Sequence, residues 1–241
     1  MTTPLPPLPR GPVASIDEAV ARMQAISAAL PEADGLASFN RMYLTVTTQV
    51  RSRIGDGSFA DVGFMDRLDV VFANLYLAAV DAWAAPPAPR SVPRSWDVLL
   101  ARHDAGDLAP MQFALAGMNA HISHDLALAV VATCRERRTS PGDGAHHADF
   151  ESVNSVLAEL EPGIQRSFES GLVADLDRRF AGLDNLAGNF SISAAREVAW
   201  SNACTLWHLG DAPLLATPFV DGLDRMVAFA GRALLLPLPR A

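Results

Sequence analysis

The sequence predicts an all-α protein, folded as a single-domain bundle of about seven to nine helices. Apolar residues recur at steps of three and four over most of the chain, which is the period of a helix buried on one face. Clusters of proline and glycine separate these segments, and no segment shows the alternating apolar and polar pattern of strands joined by tight turns. Half of the 241 residues are hydrophobic, so the helices must bury a large common interior.

The N-terminal region predicts an extended arm followed by a first helix. Residues 1–14 are rich in proline, and we expect them to lie over the surface of a helical domain that spans residues 15–241. Ser15 and Glu18 have the spacing of a capping box, in which the two side chains satisfy free N–H groups at the start of a helix. This helix should end near Leu30, where a break with proline and glycine follows.

Two long helices are predicted next. Between Leu36 and Ile54 the apolar residues keep the helical period, although several β-branched residues lie among them. The segment from Phe64 to Trp83 is apolar on nearly all sides. A helix of this kind is covered by other elements on several sides, so we expect it at the centre of the bundle.

The second half of the chain predicts further helices separated by breaks. A proline-rich loop at 84–96 and a glycine-rich loop at 140–144 are the clearest breaks. Pro110 and Pro162 stand where a helix would start, because proline is favoured in the first helical turn. We therefore predict helices at about 96–103, 111–137, 149–160, 163–182, 193–209 and 218–235.

The composition argues against several classes of partner. The formal net charge is −8 and the pI is about 5.1, so the chain lacks the broad basic surface of a nucleic-acid-binding protein. The two cysteines, Cys134 and Cys204, lie far apart and fit no zinc-ribbon spacing, which suits a reducing compartment. We find no export signal and no apolar run long enough to span a membrane. We expect a cytoplasmic protein that binds neither nucleic acid nor membrane.

His121 and Asp125 form the most informative polar pair in the sequence. They stand four residues apart on the helix predicted at 111–137 and should share a face with the apolar residues Met118 and Leu128. An imidazole and a carboxylate inside an apolar stripe are costly to bury unless they are paired, coordinated or used in chemistry. This pair is therefore the first candidate for a functional site.

Three roles suit the pair. Asp125 would fix the tautomer of His121, so that the other ring nitrogen acts as a general base or acid. Alternatively, His121, His124 and Asp125 would bind a divalent transition metal, since they offer nitrogen and oxygen ligands on one helix. The third role is a purely structural hydrogen bond between the two side chains.

Other polar residues interrupt apolar helices and are candidates for the same site. Asp69, on the predicted central helix, is the candidate for a third catalytic group, because a carboxylate that faces the core has a perturbed pKa. Asp66 stands nearer the helix start, where a surface carboxylate is favoured. Asp149 is predicted to cap the helix at 149–160. The candidate substrate-binding residues are Asn74, Tyr76, Asn119, Asn154, Arg196 and Trp200.

The remaining motifs narrow the function further. Arg196 and Trp200 stand four residues apart, where they would either clamp an anionic or aromatic ligand or simply pack together. His146 and His147 follow the glycine-rich loop, where they would reach a metal or remain solvated. The sequence contains no Walker loop, no glycine-rich dinucleotide fingerprint, no nucleophile elbow and no HExxH zinc motif. We therefore expect no cofactor, unless the metal alternative holds.

Four segments of the chain form a familiar pattern. They are FNRMYLTVT at 39–47, the stretch at 64–76, MNAHISHDL at 118–126 and DFESVN at 149–154. Together they resemble an uncharacterised bacterial family of helical proteins known only as a domain of unknown function, and the resemblance covers most of the chain. It implies a helical fold and directs attention to the region of His121 and Asp125, but it implies no particular reaction.

The leading hypothesis is a small-molecule enzyme of the hydrolase, lyase or cyclase type. His121 would act as general acid or base in an apolar pocket, Asp125 would orient it, and Asp69 and Asn119 would contact the substrate. A tailoring role in specialised metabolism suits such a protein. The alternatives are the metal-dependent hydrolase and a non-catalytic ligand-binding or accessory subunit. A homodimer or an accessory-protein partner is compatible with each.

Overall fold

Eight helices make up the part of the chain that the structure describes. The computed structural model describes residues 4–85, 91–168, 191–210 and 212–238, and within 161–168 it describes the backbone alone. These ranges contain no strand, and none of their helices is both long enough and apolar enough to cross a bilayer. The helices are α1 (Ile16–Ala29), α2 (Gly35–Gly55), α3 (Val62–Ala84), α4 (Arg94–Leu100), α5 (110–137), α6 (Gly144–Phe168), α7 (Ile192–Leu209) and α8 (Pro213–Leu234). The predicted all-α fold is confirmed.

The predicted helix bounds agree with the structure to within a few residues, except in α6 and α8. Helix α6 begins at Gly144, and its backbone continues through Pro162, so the break predicted there is wrong. A proline deletes one backbone hydrogen bond and bends a helix, but the other bonds of a long helix can outweigh that cost. Helix α8 begins at Pro213 and contains Pro218 for the same reason. The predicted helix at 163–182 lies, beyond residue 168, outside the described residues.

Helix α3 is the central element of the bundle. It packs against α1, α2, α4, α5 and α6, which explains why its sequence is apolar on nearly all sides. Its first half contributes Phe64 and Leu68 to an apolar core shared with α6, α7 and α8. Its second half contributes Tyr76 and Val80 to another core, shared with α1, α2 and α4. Phe72 packs against both, so the middle of α3 lies at the junction of the two cores.

Helix α5 contains a π-helical turn that the sequence pattern did not predict. The turn, His121–Asp125, joins two α-helical parts, Pro110–Ala120 and Leu126–Arg137. The backbone N–H of Leu126 donates to the carbonyl of His121, five residues earlier instead of four. A π turn therefore inserts one extra residue into the helix and rotates everything beyond it around the axis.

This rotation separates residues that a uniform α-helix would place on one face. Met118 and His121 line one cavity, whereas Leu128 and His124 line a pocket on another side of α5. The prediction that Leu128 shares a face with Met118 and His121 is therefore wrong. The physical reason is the extra residue of the π turn.

Two carboxylates bind backbone N–H groups at helix starts that are distant in the chain. Asp224 on α8 accepts hydrogen bonds from the first two backbone N–H groups of α4, both at 2.9 Å. Asp149 on α6 accepts bonds from two backbone N–H groups at the start of α3, at 2.8 and 2.7 Å. The prediction that Asp149 caps its own helix is wrong, because α6 begins more than a turn earlier, at Gly144.

Residues 4–14 form no helix and lie against α1 and α3. Asn74 on α3 holds this arm through both ends of its side-chain amide. Its Oδ1 accepts from the backbone N–H of Val13 at 2.8 Å, and its Nδ2 donates to the carbonyl of Val13 at 2.9 Å. Arg22 and Asp81 form an ion pair beside it, and both also bond to the backbone of the arm. The arm is therefore fixed by partly buried polar contacts as well as by its apolar side chains.

Candidate active site

A cavity of about 340 Å³ lies between α2, α3, α5, α6 and α7. Its wall is mainly aliphatic and aromatic, with side chains such as Phe39, Val50, Leu115 and Leu157. Small-molecule sites are typically apolar clefts of about 300–1,000 Å³ with a few polar groups, so this cavity suits a small ligand. Its polar lining residues are Tyr43, Asp69, His121, Asn154, Ser191, Ser193 and Arg196.

The π turn of α5 brings His121 to the cavity with one ring nitrogen already engaged. Nδ1 of His121 bonds to Oδ2 of Asp125 at 3.1 Å, and the two side chains are 3% and 2% exposed. Nε2 of His121 is buried and has no hydrogen-bond partner among the described residues. Because a carboxylate accepts the Nδ1 proton, a neutral His121 carries its lone pair on Nε2.

Asp125 is held in place by three donors. Besides His121, the indole Nε1 of Trp96 donates to Oδ2 at 2.8 Å, and Nδ1 of His124 bonds to Oδ1 at 2.7 Å. Burial raises the pKa of Asp125, but the hydrogen bonds and charges of the two histidines outweigh this effect and leave its pKa below the ordinary value. Asp125 is therefore a fixed carboxylate and not a proton donor.

Aromatic rings enclose the imidazole of His121. Phe72 stacks on it with ring centroids 3.5 Å apart and planes 5° apart, and Tyr43 meets it edge-on at 4.4 Å. Burial lowers the pKa of His121, although the hydrogen bond and charge of Asp125 oppose the shift. His121 is therefore neutral at neutral pH, and this is the form in which Nε2 accepts a proton.

His124 lies on the opposite side of the shared carboxylate. Its ring lines the other pocket, where its Nε2 is 3.9 Å from Oδ1 of Asp224. Burial lowers the pKa of His124, but the bond to Asp125 and the charges of Asp125 and Asp224 raise it, so that its pKa lies above the ordinary value. The two histidines share one carboxylate, but their pKa values are shifted in opposite directions.

This geometry bears on the metal site predicted for His121, His124 and Asp125. Both histidines direct Nδ1 to Asp125, and their rings line different pockets. Metal ligands lie only about 2.0–2.3 Å from a zinc ion, so one ion could reach all three residues only if these hydrogen bonds broke and a ring turned. The arrangement favours the hydrogen-bonded pair.

Within the described ranges, one other group of side chains has the ligand types that a metal requires. His147 and Glu151 on α6 and Glu197 on α7 have ligand atoms within 4.8 Å of one another. Nε2 of His147 is 3.5 Å from a carboxylate oxygen of Glu197. The three residues are partly exposed, although Nε2 of His147 and one carboxylate oxygen of Glu197 are buried without a hydrogen-bond partner among the described residues. The four-residue step from His147 to Glu151 could have drawn attention to this pair in the sequence.

Asp69 of α3 brings a second titratable group to the cavity. Its side chain keeps some exposure, but its Oδ2 is buried and lacks a hydrogen-bond partner in the part of the chain that the structure describes. Burial raises the pKa of Asp69 to about 7, the charge of Asp66 adds to this rise, and Arg196 opposes it. A carboxyl group that is half protonated near neutral pH serves as an acid or as a base.

Arg196 of α7 is a buried guanidinium that is held on one side of the cavity. Its Nε donates to Oδ1 of Asn154 at 2.8 Å, and its Nη2 donates to the carbonyl of Phe150 at 2.6 Å. Burial lowers the pKa of Arg196 to about 10, while Glu197 and Asp69 oppose the shift, so that it remains a cation at neutral pH. No carboxylate of the described residues forms an ion pair with it, and the other N–H groups of its terminal nitrogens are not used by these two bonds.

Comparison with known proteins gives the family of the chain. The model of a family of unknown function, DUF5995, matches residues 16–237. The chain belongs to DUF5995. The match includes every residue that lines the cavity, and it confirms the expected membership of a helical family of unknown function. No curated protein and no solved structure was found to be similar to this DUF5995 chain.

Four of the predicted substrate-binding residues of this DUF5995 protein do not line the cavity. Asn74 holds the N-terminal arm, and the hydroxyl of Tyr76 donates to a buried asparagine of α2 at 2.9 Å. Asn119 donates to a backbone carbonyl of α8 at 2.9 Å, and Trp200 packs against an aromatic ring of α6 at 4.7 Å. Each of these contacts joins two parts of the bundle. The other two members of the predicted set line the cavity.

Three aromatic neighbours of the site were not predicted from the sequence: Tyr43, Phe72 and Trp96. In the sequence these aromatic residues occupy apolar helix faces, where they cannot be distinguished from ordinary core residues. Trp96 reaches Asp125 from another helix, so its role depends on how α4 packs against α5. Tyr43 and Phe72 lie within segments that carry the family resemblance, which was the one available signal in this DUF5995 sequence.

Proposed function

We propose that this DUF5995 protein is an enzyme that transforms a small molecule by proton transfer in the cavity. The observation that carries the proposal is the state of His121, whose Nδ1 is fixed on Asp125 while its buried Nε2 has no partner among the described residues. Leaving a buried acceptor unsatisfied costs about 1–3 kcal/mol of stability, so a structural role alone does not account for this arrangement. Transfer of a proton from a bound molecule to Nε2 does account for it.

His121 is the general base of the proposed reaction. In its neutral form Nε2 accepts a proton from the substrate, and the imidazolium that results is stabilised by the carboxylate of Asp125. Trp96 and His124 hold that carboxylate in place, so the ring does not have to reorient during the reaction. Asp125 is a positioning residue in this scheme.

Asp69 is the complementary acid. With a pKa of about 7 it is protonated in a large fraction of molecules, and in that state it donates its proton to a leaving group. One proton moves from the substrate to His121, and another moves from Asp69 to the departing atom. Elimination or ring closure balances in this way without any further reactant.

Elimination and cyclisation fit this site better than hydrolysis does. Both reactions need an acid, a base and a wall that excludes water, and the cavity wall is mostly aliphatic and aromatic. Hydrolysis would also need a water molecule to enter and to be oriented. We therefore place a lyase or cyclase activity first and a hydrolase activity second.

The proposal is tested without knowledge of the substrate. Wild-type protein, His121→Asn and His208→Asn are incubated in D₂O with a soluble small-molecule extract, and each compound is followed by mass spectrometry. His208 is the control because its Nδ1 bonds to a carbonyl of its own helix, outside the cavity. We expect a compound that wild type and His208→Asn consume or label with deuterium, and that His121→Asn transforms about 100-fold more slowly or less. If no compound distinguishes a folded His121→Asn variant from wild type, the proposal is wrong.

A ligand-binding protein without catalysis is the second candidate. The largely apolar wall favours it, because such a wall binds a ligand by burial alone. The same experiment separates the two functions. A compound that is retained by the protein but recovered unchanged and without deuterium indicates binding without proton transfer.

A further inference from the structure

We propose that the ligand of the cavity is an amphiphilic carboxylic acid, whose carboxylate binds Arg196 and whose apolar part lies against the walls formed by α2, α3 and α5. The inference rests on the proposed function only in taking the cavity as the ligand site. It applies equally to a substrate and to a ligand that is bound without being transformed.

The burial and the hydrogen bonds of Arg196 are the first support for a carboxylate ligand. The guanidinium is 6% exposed, and in the described residues its hydrogen bonds go to an amide oxygen and a carbonyl rather than to a carboxylate. A buried cation without an anionic partner is costly. The bonds to Asn154 and Phe150 also fix the plane of the group, which leaves N–H donors of its terminal nitrogens in a rigid fork of the kind that matches a carboxylate.

The second argument is the balance of charge in the cavity. Arg196 is the one cationic side chain among the described lining residues, and Asp69 is the acidic one. One guanidinium beside one carboxyl group suits a ligand with a single negative charge. A phosphate dianion would meet one cation and an acidic neighbour, so it fits less well.

The third argument is the apolar remainder of the wall. Side chains from α2 and α5, including Met42, Val46, Leu115 and Met118, form much of it. A ligand held at α7 by its carboxylate presents its apolar part to these helices, and burial of that part supplies most of the binding energy. His121 on α5 belongs to the same wall.

Ligand binding at Arg196 should be coupled to the protonation of Asp69. Asp69 on α3 is surrounded by Asp66 of its own helix, Arg196 of α7 and Tyr43 of α2, while Arg196 also senses Glu197 beside it. A carboxylate that binds Arg196 adds a negative charge near Asp69 and so favours its protonated form. The acid should therefore bind more tightly below pH 7 than above it.

The inference is tested by calorimetric titration of the wild-type protein with phenylbutyrate and with phenylbutanol, its uncharged counterpart of similar size. The acid is ionised at pH 6 and at pH 8.5, because an ordinary carboxyl group has a pKa of about 4. We expect the acid to bind at least about tenfold more tightly than the alcohol at pH 6. Its affinity should fall by roughly tenfold between pH 6 and pH 8.5, while that of the alcohol stays constant.

Two variants complete the test. Arg196→Gln should abolish the preference for the acid, and Asp69→Asn should keep the preference but remove its pH dependence. If Arg196→Gln does not fold, the pH dependence of wild type and of Asp69→Asn still decides the matter. Equal affinities of wild type for the acid and the alcohol, or binding of neither, would overturn the inference. No turnover is measured, so this result is independent of whether His121 acts as a base.

Discussion

His103 and Asp34 form a buried pair that closely matches the pair of His121 and Asp125, yet the two pairs lie in different settings. Nδ1 of His103 is 2.6 Å from Asp34, and Nδ1 of His121 is 3.1 Å from Asp125. All four residues are nearly inaccessible to solvent. Asp34, however, is the N-cap of α2 and accepts two backbone N–H bonds there, at 2.8 and 3.3 Å.

Asp125 does not cap a helix, since it lies in the middle of α5 and its partners are three side chains, two on α5 and one on α4. A third pair, His146 and Asp61, repeats the structural arrangement, because Asp61 caps α3 and bonds to His146 at 3.1 Å. A buried pair of histidine and aspartate therefore does not by itself indicate catalysis. What distinguishes His121 is its place in the wall of a cavity and, within the described ranges, a buried Nε2 that no group satisfies.

The largest expected difference between the two pairs is in stability. Asp125→Asn should lower the free energy of unfolding by about 3–5 kcal/mol, because it removes a buried negative charge that three side chains share and turns an amide N–H toward those donors. Asp34→Asn should cost only about 1 kcal/mol, because asparagine caps a helix nearly as well as aspartate does. Urea unfolding at pH 7, followed by circular dichroism, measures both.

Equal losses in the two variants would contradict this distinction. A variant that is already unfolded without urea counts as the larger loss, so the comparison remains decisive if Asp125→Asn does not fold. In that case the circular dichroism spectrum of Asp34→Asn, which should keep its helical signal, is the matched control.

Asp69 extends the comparison between a structural carboxylate and a functional one. Its Oδ2 makes no hydrogen bond to any described residue, whereas both carboxylate oxygens of Asp34 are hydrogen-bonded. The pKa of Asp69 is raised from 3.8 to about 7 in the folded protein. Between these values the folded state holds a proton that the unfolded state has lost, so stability falls as the pH rises from 4 to 7 and then stays constant. Asp69→Asn should therefore be more stable than wild type by about 2–4 kcal/mol at pH 8, with little difference at pH 4.

Thermal or urea unfolding of wild type and Asp69→Asn across this pH range measures the effect. The difference between the two proteins isolates Asp69 from the histidines, which titrate in both. If the difference does not change with pH, Asp69 has an ordinary pKa and is not the acid of the proposed reaction.

Local spacing in the sequence was enough to predict the pair of His121 and Asp125. Side chains four residues apart meet on one helix whatever the rest of the fold does, and the bounds of α5 follow from Pro110 and the apolar period. Asp69 was also accessible, because a carboxylate in a helix that is apolar all round must lie near the core. These inferences need no knowledge of how the helices pack.

Contacts between helices could not be obtained in this way. Asn119 stands beside the site in the sequence, but its amide turns to α8, and Asp149 binds backbone N–H groups just before α3, in another part of the chain. The π turn was equally hidden, because the apolar pattern on both sides of it is compatible with an uninterrupted α-helix. The π turn nonetheless determines the geometry of the site, since it separates His121 from His124.

The smallest effect, and the most direct test of this separation, is the titration of the two histidines that share Asp125. His121 should lose its proton below the ordinary pKa of 6.5, because burial disfavours its charged form, and His124 should lose its proton above 6.5. The contributions of the two histidines to the free energy of unfolding depend on pH in opposite directions. That of His121 is lost as the pH falls below 6.5, and that of His124 is lost as the pH rises above it.

Imidazole nitrogen shifts in ¹⁵N-histidine-labelled protein report both titrations. His124→Gln, which removes the competing imidazole from Asp125, should raise the pKa of His121. If both rings titrated together near 6.5, Asp125 would serve them equally, and Nε2 of His121 would not be reserved as a base.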